Sequence, residues 1–93
     1  MGRIRDKIMR LFGYENIENI HIREEFEKHP PKEAKMMQRR IFYILDNHKF
    51  YVPIVISKML FFKYKWWLED GYTSYLIAKE NNIKYVKVER RIK

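Results

Sequence analysis

The chain contains no cysteine. That absence excludes a disulfide scaffold, a thiolate zinc site and a cysteine nucleophile together, and it fits a reducing, cytoplasmic setting. Glycine and proline are scarce, with three of each in 93 residues, so each one marks a turn or a break. No hydrophobic run reaches the roughly 20 residues that a membrane-spanning helix needs, and the first residues lack the apolar core of a secretory signal. His21, His29 and His48 are widely separated without ligand-type spacing, so no metal site is expected. No Gly-rich phosphate loop with a following Lys occurs, nor any Ser-His-Asp order of the hydrolytic kind.

Acid is the minority charge: Asp and Glu number 12 against 20 Lys and Arg, a formal balance of +8. Such a surplus favours polyanions, by counterion release, or acidic protein and membrane surfaces. Aromatic residues make up 16% of the chain and are expected to supply much of a modest core. One domain over residues 1–93 is predicted, with a basic amphipathic helix over 1–14 and the core over 17–90.

Ile4, Ile8 and Leu11 or Phe12 share one helical face, with Arg3, Arg5, Lys7 and Arg10 around it and Gly13 as the stop. The expectation is a short helix docked on the core; contact with a membrane or nucleic acid is the alternative. Ile17, Ile20 and Ile22 predict a first strand within 16–23, out of phase at Glu18-Asn19. An acidic turn, Glu24–Glu27, precedes the break at Pro30-Pro31. The next helix places Ala34, Met37, Ile41, Ile44, Leu45 and His48 on its expected core face, leaving Lys35, Arg39 and Arg40 off it. Val52–Ser57 and a segment ending at Leu68 read as a hairpin turning within 58–63. A helix from Tyr72 to the stop at Asn81-Asn82 and an alternating strand over 83–90 complete the chain, leaving a frayed tail at Arg91-Ile92-Lys93. The predicted class is α+β: a small mixed sheet of about four strands with helices packed on it.

The stretch with most chemical content is Glu69-Asp70-Gly71-Tyr72-Thr73-Ser74-Tyr75. A strand running through a glycine into a helix presents backbone N–H groups to an anion. The bland alternative has Asp70 capping the helix, Gly71 relieving backbone strain, and Tyr72 and Tyr75 packing in the core.

The order of His48, Pro53-Ile54-Val55-Ile56, Leu68–Tyr75 and Ile83-Lys84-Tyr85-Val86-Lys87-Val88 resembles the ParB/sulfiredoxin-like superfamily over roughly Ile17 to Arg90. Its Pro-Ile-Val-Val strand, Asp/Asn-Gly-x-x-Arg turn and Gly-Ile-x-x-Val-x-Val strand fall in the same sequence. The resemblance implies a nucleotide, ATP or CTP with Mg, held at Asp70, Gly71, Thr73 and Ser74. The departures matter as much. Tyr72 stands where sulfiredoxins carry their catalytic Cys, which removes sulfinic-acid repair, and Ser74 stands where the turn normally carries Arg. The extended Gly-Glu-Arg-Arg signature of the CTP-binding partition proteins is absent, and the helix-turn-helix region with which those proteins read DNA is not expected here.

The leading expectation is a small stand-alone, non-catalytic ParB-like domain of phage or mobile-element type. It would bind nucleotide phosphate at the turn, or a DNA or RNA backbone through Arg39, Arg40, Lys84, Lys87, Arg90 and Arg91. A second reading is a protein-interaction module or inhibitor of a host defence protein, using the aromatic hairpin around Phe61–Trp67, with Trp66 and Trp67 as contacts. A third, the weakest, is a nucleotide-dependent kinase or nuclease with Glu24, Glu25 or Asp70 as base or metal ligand.

Overall fold

The computed structural model describes residues 2–50 and 53–91. Tyr51 and Val52, where the hairpin's first strand was expected to begin, lie outside the described residues, as do Ile92 and Lys93 of the tail. The elements are α1 (Gly2–Leu11), β1 (Tyr14–Asn16), a 3-10 turn (Ile17–Asn19), β2 (Ile20–His21), α2 (Glu24–Lys28), α3 (Glu33–Leu45), β3 (Ile54–Lys58), β4 (Trp66–Asp70), α4 (Tyr72–Glu80) and β5 (Tyr85–Arg91).

One mixed five-stranded sheet, ordered β1-β5-β3-β4-β2, carries the fold. The hairpin pair β3 and β4 is antiparallel, β5 joins β3 in parallel, β2 adds in parallel to β4, and β1 closes the other edge antiparallel to β5. The single first strand expected over 16–23 does not form: β1 ends at Asn16, β2 holds only Ile20 and His21, and the two lie on opposite edges of the sheet. The switch lies where the alternation loses phase: the Asn16 side chain accepts the Glu18 N–H at 3.0 Å, and that Asx-type bond tightens the chain into the 3-10 turn. The acidic stretch after it is a short helix rather than a turn, and β4 runs past Leu68 to Asp70.

One sheet face is buried. Ile54, Ile56, Leu68, Val86 and Val88 pack there against Ile17, Ile20 and, from α4, Tyr75 and Ala78. Each such aliphatic side chain contributes about 1.5–3 kcal/mol by leaving water. The fully buried core is mainly aliphatic, with Tyr75 and Tyr43 as its aromatic members; Phe26, Phe50, Trp66 and Tyr72 pack against it half-buried, and Phe12, Phe61, Phe62 and Tyr64 are exposed. A small satellite core of Met36, Tyr43 and Ile77 joins α3 to α4.

That satellite core overturns the expected face of α3. Met36 and Tyr43 point inward at i and i+7, whereas Met37, Ile41, Ile44 and Leu45 are exposed. The apolar period was read one residue out of phase because α3 offers apolar side chains on both sides, and packing against α4 selected the narrower one. The helix ends at Asp46, with Asn47 and His48 in the left-handed region and the His48 N–H returning to the Tyr43 carbonyl at 2.8 Å.

The attachment of α1 is also inverted. It docks through polar groups: Asp6 accepts the Tyr85 hydroxyl at 2.6 Å, and Arg10 pairs with Glu15 at 2.9 Å. Its apolar stripe faces solvent.

Candidate functional site at the Gly71 turn

Where β4 ends, the chain must reverse tightly enough to start α4 over the sheet. Gly71 does this at φ +93°, ψ 29°, a conformation that L side chains rarely adopt. A Cβ at this position would also stand 3.3 Å from the Ile54 Cα on β3. The Asp70 carboxylate does not cap the helix; its Oδ1 accepts the Gly71 N–H at 2.8 Å, and Gly71 itself occupies the cap position. The first helical bond runs from the Tyr75 N–H to the Gly71 carbonyl at 2.9 Å. The N–H groups of Tyr72, Thr73 and Ser74 therefore have no intrahelical acceptor.

These N–H groups lie beside a cavity of about 510 Å³ lined by Asp70, Gly71, Tyr72, Thr73 and Ser74. Its far wall comes from α3, through Lys35 and Arg39, and from the α2–α3 connection, through His29 and Pro31. Pro53 and Val55 of the β3 side and Glu89 of β5 close it, and Phe26 stacks obliquely on Tyr72 with ring centres 5.4 Å apart. Two cations, the positive end of α4 and two hydroxyl residues converge on one space, together with the carboxylates of Asp70 and Glu89.

The structure thus gathers five of the sequence-predicted site residues, Asp70, Gly71, Thr73, Ser74 and Arg39, around one cavity. It disperses the remaining five. Arg40 bridges α3 and α4, donating to Glu80 at 2.6 Å and to Glu33 at 3.1 Å; those hydrogen bonds raise its pKa and lower that of Glu80. Arg90 lies 3.0 Å from the buried Glu15 and covers the Trp66 ring at 5.0 Å. Arg91 sits 3.7 Å from Glu69. Lys84 and Lys87 are exposed beside the rings of Tyr85 and Tyr14. The two tryptophans expected as protein contacts are half-buried, Trp67 beneath the Arg23 guanidinium at 4.6 Å; within the hairpin it is Phe61, Phe62 and Tyr64 of the loop that are exposed. Glu24 and Glu25 lie on α2, outside the cavity lining.

Lys35 and Glu89 are absent from the predicted site. The i, i+4 relation of Lys35 to Arg39 was legible, but which way α3 turned them was not. Glu89 reached the cavity by strand alternation with the buried Val88.

A second polar cluster occupies the open sheet face. Glu69 accepts the Ser57 hydroxyl at 2.5 Å and the Arg23 guanidinium at 3.2 Å. The Ser57 hydrogen bond, and then the Arg23 and Arg91 charges, outweigh desolvation and hold the Glu69 pKa below its ordinary value. The sign follows: the group stabilises the fold in full above the unfolded carboxylate range, near about 4.3, and this contribution is lost as pH falls through the lower folded value. A carboxyl-detected NMR titration should show Glu69 titrating below the ordinary glutamate range. Ser57→Ala should move it upward, and an unmoved midpoint would remove the serine as the cause.

The architecture defines a class before any particular relative: it is a sulfiredoxin/ParB-like α+β fold. Among solved structures, the chain is similar to sulfiredoxin from Arabidopsis thaliana, with TM-score 0.66 and 12% identity over 84% of this chain and 81% of that one. It is likewise similar to a conserved hypothetical protein from Pyrococcus furiosus, with TM-score 0.62 and 10% identity, spanning 84% of this chain but 31% of that longer one. No family model and no curated protein matches the sequence. Among the described residues no helix is long and apolar enough to cross a membrane.

Proposed function

We propose that the protein binds the phosphate groups of a nucleotide, with ATP and CTP as the candidates, at the Gly71 turn without acting on them chemically. The observation that carries the reading is the approach of Arg39 and Lys35, from α3, to the cavity beside the first turn of α4. Where the resemblance leads one to expect an arginine in the turn itself, this chain has Ser74, and the missing charge is supplied from across the cavity. Backbone N–H groups and the helix dipole favour a bound anion, and an Arg–phosphate contact adds directional, charge-assisted hydrogen bonds. Asp70 and Glu89 oppose a bare anion. Their presence supports the magnesium complex of the nucleotide, in which the cation offsets them.

Calorimetry with ATP and with CTP, each with and without magnesium, tests this. Binding should weaken by about tenfold or more in Arg39→Ala, from the loss of a charge-assisted hydrogen bond, and further in Arg39→Ala/Lys35→Ala. Arg40→Ala, which alters a surface ion pair outside the cavity, should leave affinity unchanged. Absence of heat with both nucleotides in every condition would reject the site.

Polyanion binding through Lys84 and the adjoining β5 is the second reading. It is favoured by exposed Lys84 and Lys87 on a chain of net charge +8. Because Glu89 interrupts the strand and Arg90 is turned to Glu15, such contacts would follow the phosphate backbone and not base edges. They would weaken steeply with salt.

A further inference from the structure

We infer that the outward face of α1, together with the β3–β4 loop, is a docking surface for an anionic lipid bilayer, engaged reversibly from one side. The inference does not depend on the nucleotide site.

An amphipathic helix on a globular core normally buries its apolar stripe. Here the stripe is turned out. Asp6 and Arg10, one turn apart, face the protein and are held there by Tyr85, Asn16 and Glu15. Ile4, Ile8 and Leu11 lie at i, i+4 and i+7 on the opposite side, and Leu11 is 85% exposed. Arg5 and Lys7 are exposed and flank the stripe on its two edges. An apolar strip bordered by cations, on a helix fixed to the domain by its polar face, has the pattern of an interfacial helix lying in the plane of a membrane.

One short helix anchors weakly. The fold places a second apolar element beside it. The Arg10 guanidinium lies over the Tyr64 ring at 4.6 Å, and Ile4, Lys7 and Tyr64 line a common cleft. Tyr64 belongs to the loop that carries Leu60, Phe61 and Phe62 into solvent, with Phe61 99% exposed. That loop is bordered by Lys58, Lys63 and Lys65 and contains no acid.

Charge selects the occupant. A second copy would bring Arg5 and Lys7 against their own equivalents. A nucleic acid would match the cations but leave Ile4, Ile8, Leu11 and Leu60 in contact with phosphate and sugar, since aliphatic groups offer bases no stacking surface. An anionic bilayer satisfies both halves, acyl chains for the stripe and headgroups for the lysines and arginines.

The test is co-sedimentation of the full chain with phosphatidylcholine vesicles, with and without phosphatidylglycerol. Binding is expected only with phosphatidylglycerol, and should weaken about fivefold for each of Arg5→Gln and Lys7→Gln. Ile8→Asp/Leu11→Asp should lower it at least about tenfold. Because those side chains are exposed, thermal unfolding should be unchanged. Phe61→Asp, on the other element, should act in the same direction. The proposal fails if the wild type does not bind phosphatidylglycerol vesicles at low salt. It also fails if Ile8→Asp/Leu11→Asp binds as well as wild type, which would leave charge alone at work. Sedimentation velocity showing self-association that the same double variant abolishes would assign the stripe to a second copy instead.

Discussion

Glu15→Ala should unfold this domain at a temperature roughly 10–25 °C lower than the parent, corresponding to about 3 kcal/mol of lost stability. Glu15 is a fully buried carboxylate on β1. Five donors converge on it: two from Arg10 at 2.9 and 3.1 Å, one from Arg90 at 3.0 Å, the Asn16 N–H at 3.0 Å and the Asn19 amide at 3.1 Å. A buried charge is tolerated only when its lone pairs are satisfied in this way. Removing the acceptor leaves two guanidiniums and two amide donors facing a vacated, poorly hydrated site. The Arg10 and Arg90 side chains keep 19% and 26% exposure, so water reaches them in part, and the effect belongs at the lower end of the 3–5 kcal/mol range for a broken buried pair.

Where the loss falls also distinguishes mechanisms. Glu15 joins α1 to the edge pair β1–β5, so amide exchange in α1 should accelerate before that of β3 and β4. Glu15→Gln, which retains an acceptor oxygen, should fall between the parent and Glu15→Ala. A loss under about 1 kcal/mol for the alanine variant would mean that the cluster is solvated in practice and that α1 is held by other contacts.

The elements that sequence patterning located well are those whose apolar period had a single solution. The strands β3, β4 and β5 alternate against one buried face, and α4 stops at Asn81-Asn82 as its residues suggest, with Asn82 at φ 54°. The turn at Gly71 was legible because a glycine between a strand and a helix has few other uses. The departures arise where two solutions compete. On α3, apolar residues at 37, 41 and 44 form a longer stripe than Met36 and Tyr43, yet the latter face the core because Ile77 of α4 meets them there. On α1 the stripe was correctly read, but its direction depended on Glu15 and Tyr85, residues that no local pattern links to Asp6 and Arg10. The cationic side of the cavity was hidden for the same reason: Arg39 faces the same cavity as Ser74 only once α3 has its observed rotation about its axis. In each case the missing information was the partner surface, not the element.

Gly71→Val should destabilise the fold by about 3 kcal/mol or more, and Gly71→Ala by about 1–2 kcal/mol. Two separate causes act at this position. The backbone sits at φ +93°, where any Cβ is strained and a β-branched residue is an outlier. In addition, the new Cβ would stand 3.3 Å from the Ile54 Cα, which belongs to the central strand and cannot swing aside as a flexible side chain would. Gly13 separates the two terms. It has a similar φ of +84°, but its closest neighbour would be the Lys87 ammonium end at 3.5 Å, which is free to move. Gly13→Ala therefore reports backbone strain alone, and the excess for Gly71→Ala, read as a difference in urea midpoint at equal slope, reports the approach of the turn to β3. If the two alanine variants lose the same stability, the close approach carries no energetic weight. An excess at Gly71 instead means that the pressure on this position is set by the sheet beneath it. The geometry of the turn, whose residues line the cavity, is then fixed by β3 before any ligand arrives.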